Sequence, residues 1–126
     1  MIKEGFIFKE FINIAKQKVK EGVDVRLIID DFGRWSVPYH ILRQLKENGI
    51  KIAIYERFNF PFIGNRHDFR MHRKGAIIDG KIVHMGGLNL GDEYASLNEN
   101  YGQWADFGIK ITGEAVRSHL LLFAKD

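Results

Sequence analysis

Cysteine is absent from the sequence, so disulfides and thiolate-metal centres are excluded, and a reducing compartment is permitted without being required. No run approaches the roughly 18 apolar residues of a membrane-spanning helix. The N-terminus carries no short apolar core followed by a small-residue cleavage site. As written, the chain is expected to be soluble. A strong excess of one charge is missing too. The net charge of +3 suits an anionic substrate without separating nucleic acid from phospholipid headgroups. A hydrophobic content of 45% with ten phenylalanines argues against disorder. A length of 126 residues fits a single domain with one core.

Apolar periodicity alternates between helix and strand. Between about Phe6 and Lys20, residues Phe8, Phe11, Ile12, Ala15 and Val19 recur at spacings of three and four, which predicts an amphipathic helix stopped by Gly22. Val23 to Ile29 is short and β-branched and predicts a buried strand, followed by a loop at Asp30-Asp31-Phe32-Gly33. Pro38 suits the first turn of a second helix, with Ser36 as its cap. Ile41, Leu42 and Leu45 form the apolar face, and Asn48-Gly49 the end. Ile50 to Tyr55 alternates as a strand. A right-handed βαβ unit with parallel strands follows. Glu56 to Phe69 has neither period and reads as a long loop.

From Met71 to Met85 two apolar runs flank Asp79-Gly80, the signature of a two-residue type I′ hairpin. That turn would pair Ile78 with Lys81, Ile77 with Ile82, Lys74 with Met85 and His72 with Gly87. His72 and Lys74, two apart, would share one strand face, with Met85, Gly87 and Asn89 opposite them. Gly86 and Gly87 leave room for a phosphate to approach the backbone. Asp79 belongs to the turn.

These residue types work together chemically. A neutral imidazole can attack phosphorus near neutral pH, while a lysine ammonium and an asparagine amide hold the phosphoryl oxygens. The expected reaction is phosphoryl-group transfer. It needs no metal, the other histidines are scattered, and no cofactor is expected.

His72-x-Lys74, then Asp79, then Gly86-Gly87-x-Asn89 resembles the signature of the phospholipase D superfamily. Its continuation, Gly87-Leu88-Asn89-Leu90-Gly91-Asp92-Glu93-Tyr94, is similar to the first motif of bacterial cardiolipin synthases. The likeness runs from about residue 2 to 124, including Val25-Arg26-Leu27, Trp104-Ala105-Asp106 and Ile111-Thr112-Gly113. It implies an α/β fold, a phospholipase D-like mixed sheet flanked by helices, here without its first strand, whose edge would be open to another chain. It implies that His72 is the nucleophile that forms a phosphohistidine, or the partner that protonates the leaving group. Lys74, Gly87 and Asn89 would bind the substrate phosphate. Asp79 is the third letter of the signature and is counted with the catalytic set. Asp106 matches the acid that holds the imidazole. The chain departs from the pattern at Met71, Gly75-Ala76, Ala105 and Phe107-Gly108, which bears on headgroup selectivity.

The resemblance further implies phosphatidylglycerol as substrate, cardiolipin and glycerol as products, and a parent enzyme at the cell membrane. The partner would be a second His-x-Lys domain of the same enzyme or a second copy, because nucleophile and general acid must face each other across the phosphorus. The chain thus reads as one catalytic half of a longer, two-motif enzyme. A single-motif homodimeric endonuclease, the one reading with nucleic acid as partner, and a non-catalytic domain are the alternatives. Gly91-Asp92-Glu93-Tyr94 and the modest basic excess favour the lipid enzyme. His40, His67, His84 and His119 are assigned no chemistry, with His67 the nearest to a substrate role and His84 expected on the face opposite His72. Arg66, Arg70 and Arg73 form a basic cluster beside the motif. Asp92-Glu93-Tyr94 would cap a helix or line the site. Trp104, Phe107 and Ile109 alternate as core residues would.

Overall fold

Spacings of three and four turn Phe6–Lys20 into a helix, α1, that buries Phe8, Ile12 and Ala15. The architecture is that of a computed structural model describing residues 2–31, 36–55, 71–98 and 102–126. Gly22, at φ 87°, closes α1 with a Schellman motif, its N–H bonding the Val19 carbonyl and that of Val23 bonding Lys18. Strand β1, Arg26–Asp30, follows. It starts three residues later than expected because Asp24 is held outside it, paired to Arg26 and Lys51 at 2.7 and 2.9 Å. It also extends to Asp30, which the sequence placed in a loop. The expected loop at 56–69 lies outside the described residues.

The second helix, α2, is Tyr39–Glu47 and buries Leu42 and Leu45. Pro38 sits one position earlier than expected. Its ψ of 138° is not helical, so it is the flanking residue whose carbonyl accepts the first helical N–H groups, from Ile41 and Leu42. Pro38 itself offers no side-chain cap bond, while at the other end Asn48 Nδ2 donates to the Gln44 carbonyl at 2.8 Å. Gly49, at φ 83°, ends it with a second Schellman motif and delivers the chain to β2, Lys51–Tyr55. β1 and β2 pair in parallel, Arg26 beside Lys51 through Asp30 beside Tyr55. Phe8, Ile12, Ala15, Ile29, Leu42 and Leu45 belong to the core between these two helices and this sheet.

The rest of the chain builds a second, antiparallel sheet in the order β3, Lys74–Ile78, then β4, Ile82–Gly86, then β5, Gly108–Thr112. A third helix, α3, Ala115–Lys125, packs on all three strands. The sequence reading had no helix here. Val116, His119 and Phe123 do keep helical spacing, but a polar residue stands in that row and the adjacent, exposed Leu120-Leu121-Leu122 obscures it. The fold is α/β as expected, with its strands in two sheets. Trp104, Phe107 and Ile109 do not join a core. Phe107 is 79% and Ile109 54% exposed, because Trp104 and Phe107 precede β5 and the alternation reflects no buried face.

One polar residue ties the two halves together. Helix α1 has no local side-chain cap. Its first N–H groups, on Phe6 and Ile7, donate to the two carboxylate oxygens of Asp92, each at 2.9 Å. Gly5 makes room for this, since a Cβ there would lie 2.5 Å from that carboxylate. Beside it, Lys3 pairs with the buried Glu93 at 2.5 Å, and Ile2 forms a parallel bridge with Leu90. Asp92 therefore caps a helix, one of the two roles its sequence context left open.

The two N–H donors hold the Asp92 carboxyl below its ordinary pKa. The stabilisation is thus fully present above the unfolded value of about 4 and is lost as pH falls through the lower folded value. Asp92→Ala should lower the thermal midpoint by about 5 °C at pH 7, with the difference from wild type shrinking in acid. Equal midpoints at pH 7 would remove Asp92 from the cap. Leu45→Ala, at a position 1% exposed, should cost about 2–5 kcal/mol in denaturant unfolding.

Candidate functional site at the end of the antiparallel sheet

The site begins with a turn. Asp79 and Gly80 both adopt left-handed backbone, φ 53° and 63°, as a type I′ turn requires, and the Lys81 N–H donates to the Ile78 carbonyl. The ladder, however, closes on Ile78 opposite Ile82, which leaves Lys81 as an extra residue. The register is therefore one residue off the two-residue expectation. Lys74 stands opposite Gly86 and Gly75 opposite Met85.

That shift redistributes the faces. Directly opposed residues share a face and neighbours alternate, so Lys74 stands with His84 and Gly86. Met85 falls on the other face with Gly75, Ile77 and Val83. His84, expected opposite the reactive pair, lies on the Lys74 side and is exposed. The Met85 face borders a pocket of about 150 Å³ whose lining combines Leu27, Ile77 and Phe123 with Arg26, Arg73 and Asp126. This pocket lies on the face away from Lys74.

The candidate residues are gathered by a different route, at one end of the sheet. Lys74, Gly86 and Gly108 form a row across the three strands. His72 lies two residues ahead of β3, Gly87 one residue past the end of β4, and Asp106 two residues ahead of β5. His72 is exposed, and its backbone carbonyl accepts from Lys74 Nζ at 2.9 Å. Lys74 is half-buried, and burial lowers its pKa. The Met71 N–H donates to Asp30 Oδ2 at 3.1 Å, so the aspartate at the end of β1 holds the segment leading into His72.

Asp106 rests against Gly87. A Cβ at Gly87 would lie 2.7 Å from Asp106 Oδ2, so the space that the sequence reading offered to a phosphate is taken up, at Gly87, by a carboxylate. Asp106 also accepts from the Phe107 N–H at 2.7 Å and, at 3.5 Å, from the Trp104 indole. Asn89 Nδ2 donates to the Tyr94 hydroxyl oxygen at 2.6 Å, and the Tyr94 and Trp104 rings meet edge to face with centroids 4.7 Å apart. Tyr94 and Asp30 are the participants that sequence reasoning left without a settled role. Their one signal was position, in the extended motif and at a strand end.

Asp79 is not among these groups. It occupies the turn at the far end of β3, about 16 Å along the strand from Lys74 at about 3.3 Å per residue. Arg73 forms an ion pair with Asp126, while Arg66, Arg70 and His67 lie outside the described residues. His119 Nδ1 contacts the Ala115 carbonyl of its own helix. Among the described residues no group of three histidine or acidic side chains could hold a metal ion.

A family model described as cardiolipin synthase, PLD-like domain, matches residues 4–108. Over all 126 residues the chain is 36% identical to a cardiolipin synthase of Halalkalibacterium halodurans and 34% identical to one of Geobacillus kaustophilus, in each case covering 25% of the relative. It is 40% identical over 111 residues, 87% of this chain, to a cardiolipin synthase of Oceanobacillus iheyensis, covering 23% of it. The chain spans about a quarter of the length of these relatives.

Gly87→Ala should displace the Asp106 carboxylate and with it shift the Trp104 indole N–H resonance in a 1H–15N spectrum. An unchanged resonance would show that the carboxylate does not rest there.

Proposed function

This chain belongs to the family of cardiolipin synthase phospholipase D-like domains, and from that premise we propose that it supplies one half of a phosphatidyltransferase site. The observation that supports the reading is the position of His72, Lys74 and Asp106 at one end of the antiparallel sheet, at or just outside the row Lys74, Gly86, Gly108, with Asn89 three residues past that row. The substrate is phosphatidylglycerol. The complete protein works at the membrane, although no helix among the described residues is long and apolar enough to cross one.

The chemistry is a double displacement. An imidazole nitrogen attacks phosphorus, the bond to the glycerol oxygen breaks, and a second histidine gives that oxygen its proton. A hydroxyl of a second phosphatidylglycerol then attacks the phosphohistidine and loses its proton to the same second histidine. The P–N bond breaks, leaving cardiolipin. His72 fills one of these two roles, and the other belongs to a second His-x-Lys motif in the same protein or in a second copy. Lys74 and Asn89 hold the phosphoryl oxygens. Burial disfavours the Lys74 ammonium, and a phosphate anion beside it restores the charged form. Asp106 orients the imidazole. Asp79 stays a turn residue, and its place in the signature reflects the hairpin that delivers His72 and Lys74.

In the complete protein, His72→Ala should reduce cardiolipin formation from phosphatidylglycerol by at least about 10³-fold and Lys74→Met by about 10²-fold, measured by mass spectrometry of the lipid products. Unchanged product from His72→Ala would sink the assignment. The 126-residue chain by itself should show no turnover. Metal-independent cleavage of single-stranded DNA by it would instead favour a dimeric nuclease.

A further inference from the structure

His72 stands just outside the ladder that places Lys74, whose first pair is Lys74 with Gly86. Carboxylates from two distant parts of the chain reach the residues on either side of it. On one side the Met71 N–H donates to Asp30 Oδ2 at 3.1 Å. On the other the Arg73 guanidinium, through Nη2, is ion-paired with Asp126 Oδ2. Met71 and Arg73 line the pocket beside β3 together with Gly75 and Ile77. The alternation of the strand thus continues through this segment and sets Arg73 on the face away from Lys74. Asp126 is a firm anchor. It is the C-cap of α3, its N–H donates to the Leu122 carbonyl at 3.1 Å, and α3 packs on all three strands. A carboxylate at a helix C-terminus sits against the helix dipole, and the Arg73 cation offsets that. The Asp126 side chain is 13% exposed against 43% for Arg73, so the pair is screened less than one lying wholly in water.

We infer that Arg73 and Asp126 are positioning residues for His72, tying the segment ahead of β3 to the end of α3. Neither takes part in the double displacement, and the inference rests on the reading of His72 as a reacting residue. In-line attack on phosphorus tolerates little displacement of the imidazole, and roughly 1 Å of misplacement can cost on the order of 100-fold in rate. Fixing Met71 alone leaves the backbone free to turn beyond it. Fixing Arg73 as well holds the backbone on both sides of His72. Lys74 is placed by the ladder, so the ion pair acts on turnover rather than on substrate affinity.

The test is steady-state kinetics of the complete protein on phosphatidylglycerol in detergent mixed micelles, with thermal midpoints measured alongside. Arg73→Ala and Asp126→Ala should each lower kcat about tenfold, with KM within about twofold of wild type and the midpoint within a few degrees of it. The double variant should lose no more than either single one, since both remove the same contact. Unchanged kcat in either single variant, losses that multiply in the double, or a loss that follows a fallen midpoint would overturn the inference. So would a raised KM in Arg73→Ala alone, the mark of an arginine that touches the headgroup. Retained activity in His72→Ala would overturn the site reading and the inference together, whereas its loss beside unaffected Arg73 and Asp126 variants would overturn the inference alone. Should Arg73→Ala not fold, Asp126→Ala, at a helix end, decides by the same kcat, KM and midpoint.

Discussion

The antiparallel ladder between β3 and β4 sets the position of every group at the site. Its start is fixed by two consecutive left-handed residues, Asp79 and Gly80, and its register by the extra residue Lys81. Glycine reaches this conformation at no cost, and aspartate is among the few residues that tolerate it. Once Ile78 meets Ile82, Lys74 must stand opposite Gly86, and β5 adds Gly108 to the same row. His72, Gly87 and Asp106 then leave the sheet at one end. A slip of one residue would turn Lys74 toward the face of Met85 and Val83.

Around this ladder, polar groups act over long sequence distances as braces. Asp92 closes the N-terminus of α1 from 86 residues away, and Asp30 holds Met71 from 41 residues away. Each satisfies backbone N–H groups that would otherwise lack partners at a helix start or a strand approach. The short run Asp92-Glu93-Tyr94 thus does three jobs. Its aspartate caps, its glutamate pairs in a buried position, and its tyrosine meets Asn89. Substitution in this run would be felt both in stability and at the site, through neighbouring side chains.

Much of this was legible from residue order. Helix α1, the Leu42 and Leu45 face of α2, the parallel pair and the Asp79-Gly80 turn follow from local period and turn chemistry, which act within a few residues. The hairpin register did not, because Lys81 looks like a ladder residue and only the three-dimensional pairing shows it to be an insertion. The seat of Asp106 against Gly87 and the packing of Tyr94 on Trp104 join the segment after β4 to the one before β5, which no periodicity encodes. The alternation of Trp104, Phe107 and Ile109 misled for the complementary reason. Period describes a strand, and two of the three lie ahead of one.

Two in-line displacements at one phosphorus, with a histidine adduct between them, are the centre of this account. Each displacement inverts the configuration at phosphorus, so their sum retains it. The direct measurement is the stereochemical course of transfer by the complete protein, using phosphatidylglycerol made chiral at phosphorus by isotopic or sulfur substitution and reading the configuration of the cardiolipin formed. The account predicts net retention. Net inversion, the mark of one direct attack by the acceptor alcohol, would contradict it.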